Sequence, residues 1–105
     1  MMRLIVRDKH KQFNQQTHAY AEYRTFSSLV GSDGHVGDVT ITLVRGPADG
    51  TEANGPIVCT IAATMATGEV AKVEAMAAHA YAAIDRAVSL IRHSPISTHG
   101  TPVRS

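Results

Sequence analysis

The last third of the chain constrains its fold most. The apolar residues Ala77, Ala80, Tyr81, Ile84, Ala87, Val88 and Ile91 recur at three- and four-residue intervals, while His79, Asp85, Arg86, Ser89 and Arg92 fall off that stripe. This spacing predicts an amphipathic helix over residues 79–93 with one apolar face. Pro95 stops it, because proline lacks an N–H and its ring clashes with the preceding turn. A helix with a single apolar stripe must cover another apolar surface. Three alternating segments directly before it supply one. Val39, Ile41 and Leu43 face one way and Thr40 and Thr42 the other within 37–45; Ile57, Cys59 and Ile61 share a face within 56–63; Ala71, Val73 and Ala75 face inward and Lys72 and Glu74 outward within 69–76. Period-two patterns rich in β-branched residues predict half-buried strands. Short connections join neighbouring strands, so these form an antiparallel meander. The sheet face carrying Thr40, Thr42 and Thr60 is left to solvent or to a partner.

The N-terminal part supplies one more strand and one more helix. Leu4-Ile5-Val6 reads as a first strand, followed by the basic run Arg7, Lys9, His10 and Lys11. Asn14, with Thr17 as the alternative, is placed to cap a helix over 15–30. In that helix Ala19, Tyr23, Phe26 and Val30 recur at helical spacing, widened by Tyr20 and Leu29, and predict its apolar face. Gly31-Ser32-Asp33-Gly34 ends it with residues suited to a left-handed cap. Residues 46–55 are turn-formers and read as a long, mobile connection. Residues 94–105, rich in Ser, Thr, Gly and Pro without periodicity, predict a disordered tail. The expected order β-α-β-β-β-α is a two-layer α+β sandwich, a four-stranded sheet with both helices on one face, built from residues 1–93.

Composition narrows the function classes. A length of 105 residues favours one domain, large enough to bury a core without metals or disulfides. The 44% hydrophobic and 18% charged content is that of a soluble globular protein. The single Cys59 excludes an internal disulfide framework. The charge at Arg3 is followed by only three apolar residues, too few for a signal-peptide core, and no segment is apolar enough to span a bilayer, so a cytoplasmic location is expected. The net charge of +1 falls short of the basic excess of strong nucleic-acid binders, although six His residues add charge below about pH 6.5.

No constellation of catalytic residues emerges. His10, His18, His35, His79, His93 and His99 are scattered and form no i, i+4 zinc pair, and there is no Cys-x-x-Cys. Cys59 reads as a small buried apolar residue. Ser27, Ser28 and Ser32 lack a hydrolase elbow. The glycines from Gly46 to Gly55 lack the Lys and helix start of a phosphate loop. Asp85 has no identifiable second group for acid–base work and reads as a carboxylate that orients a basic neighbour or bonds to nearby backbone. Tyr81 is expected in the core with its hydroxyl at the rim. No enzyme activity, metal or cofactor is implied.

The run Tyr81-Ala82-Ala83-Ile84-Asp85, set after a strand of small residues and a short spacer, resembles the last helix of the ribosome hibernation promoting factor family, which includes the ribosome-associated inhibitors and sigma-54 modulation proteins. The strand from Val39 to Arg45 and the Gly-rich loop before Cys59 fit that family's central hairpin more loosely. The resemblance runs from the first strand to His93 and marks a short, single-domain member. It implies the same α+β fold and a non-catalytic translation inhibitor that binds the small ribosomal subunit near the decoding region in stress or stationary phase. The partners implied are rRNA and ribosomal proteins, without membrane or DNA. On this reading Arg24 on the first helix, Arg86, Arg92 and His93 on the last, and the cluster Arg7, Lys9 and Lys11 are the RNA-binding candidates, because Lys and Arg meet phosphates with release of counterions. The cluster reads as three cations on one face of an extended strand, with Asp8 pointing the other way. The chain departs from the family at Leu90, at His93 and at Pro95, where basic residues are usual. The second reading is a protein-interaction or weakly homodimerising module on the same fold, using Leu90 and the Thr-rich sheet face.

Overall fold

The computed structural model describes residues 2–8, 11, 13–30, 36–46 and 55–93. The elements are β1 (Arg3–Arg7), α1 (Gln15–Leu29), β2 (Val36–Arg45), β3 (Ile57–Met65), β4 (Val70–Ala77) and α2 (Ala80–Arg92). The expected order is the observed one. The strands form a single sheet in the order β1-β2-β3-β4. β1 runs parallel to β2, and β2, β3 and β4 form the expected antiparallel meander. The parallel pair follows from α1, which carries the chain from β1 back to the start of β2. The connection over 47–54, the segment 31–35 and the tail over 94–105 lie outside the described residues.

Alternation along the strands sorts the sheet into two faces. Val39, Ile41 and Leu43 of β2 and Cys59, Ile61 and Ala63 of β3 are fully buried beneath the helices. Leu4, Val6, Ala71, Val73 and Ala75 extend that face to both edges. α2 adds Ala83, Ile84, Ala87, Val88 and Ile91, all essentially without exposure. Its predicted stripe is therefore seen, except at Tyr81, which is 44% exposed. The opposite sheet face, bearing Thr40, Thr42 and Thr60, is uncovered by any described element.

The first helix is rotated from its expected orientation. Thr17, Ala21, Thr25 and Leu29 are its buried residues, an i, i+4 series of mostly small side chains. Tyr23, Phe26 and Val30, expected inside, are 67%, 44% and 49% exposed. Small residues let α1 lie close over β1 and beside α2, while the bulk of the core comes from α2 and the central strands. The N-terminus is fixed as expected: the Asn14 side chain accepts a hydrogen bond from the Thr17 N–H at 2.9 Å. Between β3 and β4 the chain turns through Gly68, whose φ of +97° suits a residue without Cβ, and the Gly68 N–H donates to the Met65 carbonyl at 2.8 Å.

Candidate functional site

The strongest polar cluster lies where α1 meets α2. Tyr20 and Arg24 are one helical turn apart on α1, and Tyr81 and Asp85 are one turn apart on α2, so each pair shares a face. The rings of Tyr20 and Tyr81 stack at a centroid distance of 4.2 Å and an interplanar angle of 12°. The Tyr20 hydroxyl donates to Asp85 Oδ1 at 2.8 Å, and Arg24 Nε donates to the same oxygen at 3.0 Å. Of the two roles its sequence setting left open, Asp85 takes the first and orients a basic neighbour. Its hydrogen bond is the main cause that raises the Tyr20 pKa above the ordinary value, with burial and the carboxylate charge adding to it. The same bond raises Arg24 further. Arg24 therefore stays charged, with its guanidinium held across the helix pair by Asp85.

Tyr81 is the correction within this cluster. Its ring lies on Tyr20 at the surface rather than in the core. The Tyr20–Tyr81 stack closes the interhelical seam from outside, an arrangement aromatic pairs favour when their rings are offset. Tyr20 and Arg24 mark the side of α1 that faces α2. An i, i+4 Tyr–Arg pair on the first helix and a Tyr–Asp pair at the same spacing on the last were the available signal for the cluster.

The other candidate cations fall into separate places. Arg86 donates from Nη1 to the Met76 carbonyl at 2.7 Å, which ties α2 to β4, so it has a structural contact besides any ligand. Arg92 and His93 sit at the C-terminal end of α2, where cations favour the helix dipole; the His93 ring meets the Ser89 carbonyl through Nδ1 at 2.7 Å. Arg7 lies on the uncovered sheet face, level with Thr42, in the layer opposite the helices. Lys9 lies outside the described residues. The expected extended alternation through Lys11 is not seen: β1 ends at Arg7, and Lys11 has a φ of +52° with its N–H bonded to the Asp8 carbonyl at 3.0 Å. The cause is Asp8. Its side chain, only 3% exposed, accepts from the Phe13 N–H at 2.8 Å and faces His18 Nε2 at 3.0 Å, folding the chain into a turn before α1.

Cys59 lies in the core, where burial pushes its thiol up to about 12. Among the described residues no group of His, Cys, Asp or Glu could hold a metal ion, and no helix is long and apolar enough to cross a membrane.

Comparison with solved structures sets this geometry in context. The N-terminal domain of Thermus thermophilus Protein Y superposes with a TM-score of 0.66 at 20% identity, covering 95% of this chain and 97% of that domain. This chain has the Protein Y fold. A ribosomal subunit interface protein from Coxiella burnetii superposes with a TM-score of 0.74 at 9% identity, covering 97% of this chain and all of the other. The likeness extends over nearly the whole chain, and it is the fold that the resemblance in the last helix implied. No protein-family model matches the sequence, and no curated protein matches it.

Proposed function

We propose that this chain is a ribosome hibernation factor that binds the small ribosomal subunit near the decoding region and holds idle ribosomes out of translation. The single observation that carries the proposal is the Protein Y fold, shared over nearly its full length with a protein named for the ribosomal subunit interface. The Tyr81-to-Asp85 motif agrees with it and has a physical role on this fold, since Asp85 fixes Arg24 across the helix pair. On this reading the helix layer meets rRNA. Arg24 provides a pre-oriented cation, Arg92 and His93 extend the contact along α2, and Arg86 adds charge on the β4 side. Arg7 lies on the opposite sheet face and is not part of this helix-layer surface. Structured RNA is recognised largely by shape and backbone contact, which a rigid pair of packed helices suits. The reaction is binding alone, with no chemical step, and its setting is the cytoplasm under stress.

The test is sedimentation of the purified protein with small ribosomal subunits at low and moderate salt. Salt-sensitive, stoichiometric co-sedimentation is expected. Absence of binding at low salt would overturn the proposal. The variant Arg86→Glu with Arg92→Glu is expected to reduce co-sedimentation strongly, with its unfolding midpoint followed in parallel because Arg86 also bonds the Met76 carbonyl.

A further inference from the structure

The flank of α1 turned away from α2 carries a second surface. Ala19, Glu22, Tyr23 and Phe26 of α1 and Leu4 of β1 line a groove of about 370 Å³. β1 is an edge of the sheet and, among the described residues, pairs only with β2. A strand bonded on one side directs the N–H and C=O groups of alternate residues outward, ready to pair. Leu4 belongs to both features, so the groove and the strand edge lie side by side. We propose that this edge receives an extended segment of a partner protein. The segment adds a strand to β1 and sets alternate large apolar side chains into the groove, main-chain bonds giving affinity and the groove giving selectivity.

Charge states which segment fits. Arg3, Ile5 and Arg7 present their side chains on the uncovered sheet face, and all three are exposed. A strand laid beside β1 places every second side chain on that same face. Acidic residues there meet Arg3 and Arg7. The sheet already shows this geometry on its other side, where Asp38 of β2, directly opposite Arg3 in the register, pairs with Arg3 Nε at 3.5 Å. A second copy of the chain fits poorly. Antiparallel pairing of two β1 strands centred on Ile5 sets Arg3 against Arg7 at both ends, and like charges directly opposite destabilise a sheet. The occupant is therefore a segment of a different protein in which acidic and large apolar residues alternate. This surface lies on the opposite flank of α1 from α2, so it stands whether or not the ribosome reading does.

The test uses two blocked peptides, one alternating Glu with Leu, Phe and Val and one with Lys in place of every Glu, titrated into the isotope-labelled protein. The acidic peptide is expected to shift the β1 amides and the resonances of Leu4 and Phe26, and to bind on the order of fivefold tighter than the basic one. Arg3→Glu with Arg7→Glu, a change confined to exposed side chains, is expected to reverse that preference. Phe26→Ser is expected to weaken both peptides while the spectrum stays folded. Equal affinity for the two peptides, no shift at concentrations on the order of 1 mM, or shifts that map away from β1 and α1 would overturn the proposal. So would a concentration-dependent dimer in the peptide-free sample whose contact maps to β1, which would give the edge to a second copy.

Discussion

Asp85 is the residue on which the interhelical cluster turns. One of its oxygens accepts from both Tyr20 and Arg24, so its charge fixes two side chains of the other helix. The ion pair is half-exposed, and such pairs contribute no more than about 1 kcal/mol to stability. Its consequence is positional. In Asp85→Asn the Arg24 guanidinium loses its anionic anchor; the unfolding midpoint is expected to change little and, under the proposed function, ribosome association to weaken. Tyr20 supplies an independent readout. Its folded pKa is raised above 10.0, so the stabilisation from its donated bond is complete below that ordinary value and is lost as pH rises through the raised one. Asp85→Asn is expected to bring ionisation of Tyr20 to lower pH in an ultraviolet titration, with Tyr20→Phe identifying the signal. An unchanged titration would mean the bond is absent in solution. Cys59 gives a second test at this scale. With its thiol pushed up to about 12, almost no thiolate exists at pH 8, and labelling by a disulfide reagent is expected only as fast as the core opens. A rapid stoichiometric burst would contradict its placement.

At the scale of the element, α1 and α2 show what patterning conveys. α2 was legible because Ile84, Val88 and Ile91 are all inside on one stripe, with Leu90 exposed off it. α1 was misread because Tyr23 and Phe26 are outside and its buried series, Thr17, Ala21, Thr25 and Leu29, holds only one large apolar residue, the expected Leu29. A hydropathy stripe measures side-chain size and polarity; it does not register how closely a helix must approach its sheet. The strands were legible because Val39, Ile41 and Leu43 alternate with Thr40 and Thr42. Asp8 was read as pointing away from its basic neighbours, but its role in the turn was hidden, because the alternation of Arg7, Lys9 and Lys11 suggested a continuing extended strand, whereas the Phe13 N–H and His18 bond to its side chain. The buried Thr25 hydroxyl finds no hydrogen-bond partner among the described residues, and such a group costs about 1–3 kcal/mol when left unsatisfied. Thr25→Val keeps the shape and removes the hydroxyl, and is expected to raise the unfolding midpoint by denaturant. A clear loss of stability would mean that the hydroxyl has a partner in solution. Ile84→Ala is expected to destabilise by about 2–5 kcal/mol, since Ile84 is fully buried between the helices and the sheet.

For the molecule as a whole, charge decides how ribosome binding must behave if the proposed function holds. The net charge is only +1, so affinity cannot rest on a broad positive field and must rest on placed cations. Arg24 is partly neutralised by Asp85, Arg86 is engaged with the Met76 carbonyl, and Arg7 belongs to the other layer. The contact through the helix layer is therefore small in phosphate number, and the dependence of affinity on salt should be shallow. Each lost phosphate contact lowers the slope of log affinity against log salt by about one. Arg86→Glu with Arg92→Glu is accordingly expected to flatten that slope by about two, measured for the small subunit across a salt series at constant pH. Arg3→Glu with Arg7→Glu should leave the slope nearly unchanged if RNA meets only the helix layer. A flattening as large as that of the helix variant would place Arg7, on the uncovered sheet face, against the phosphates and would make the sheet a second RNA-facing surface. The two variants alter the net charge equally, so any difference between them reports position and not overall charge.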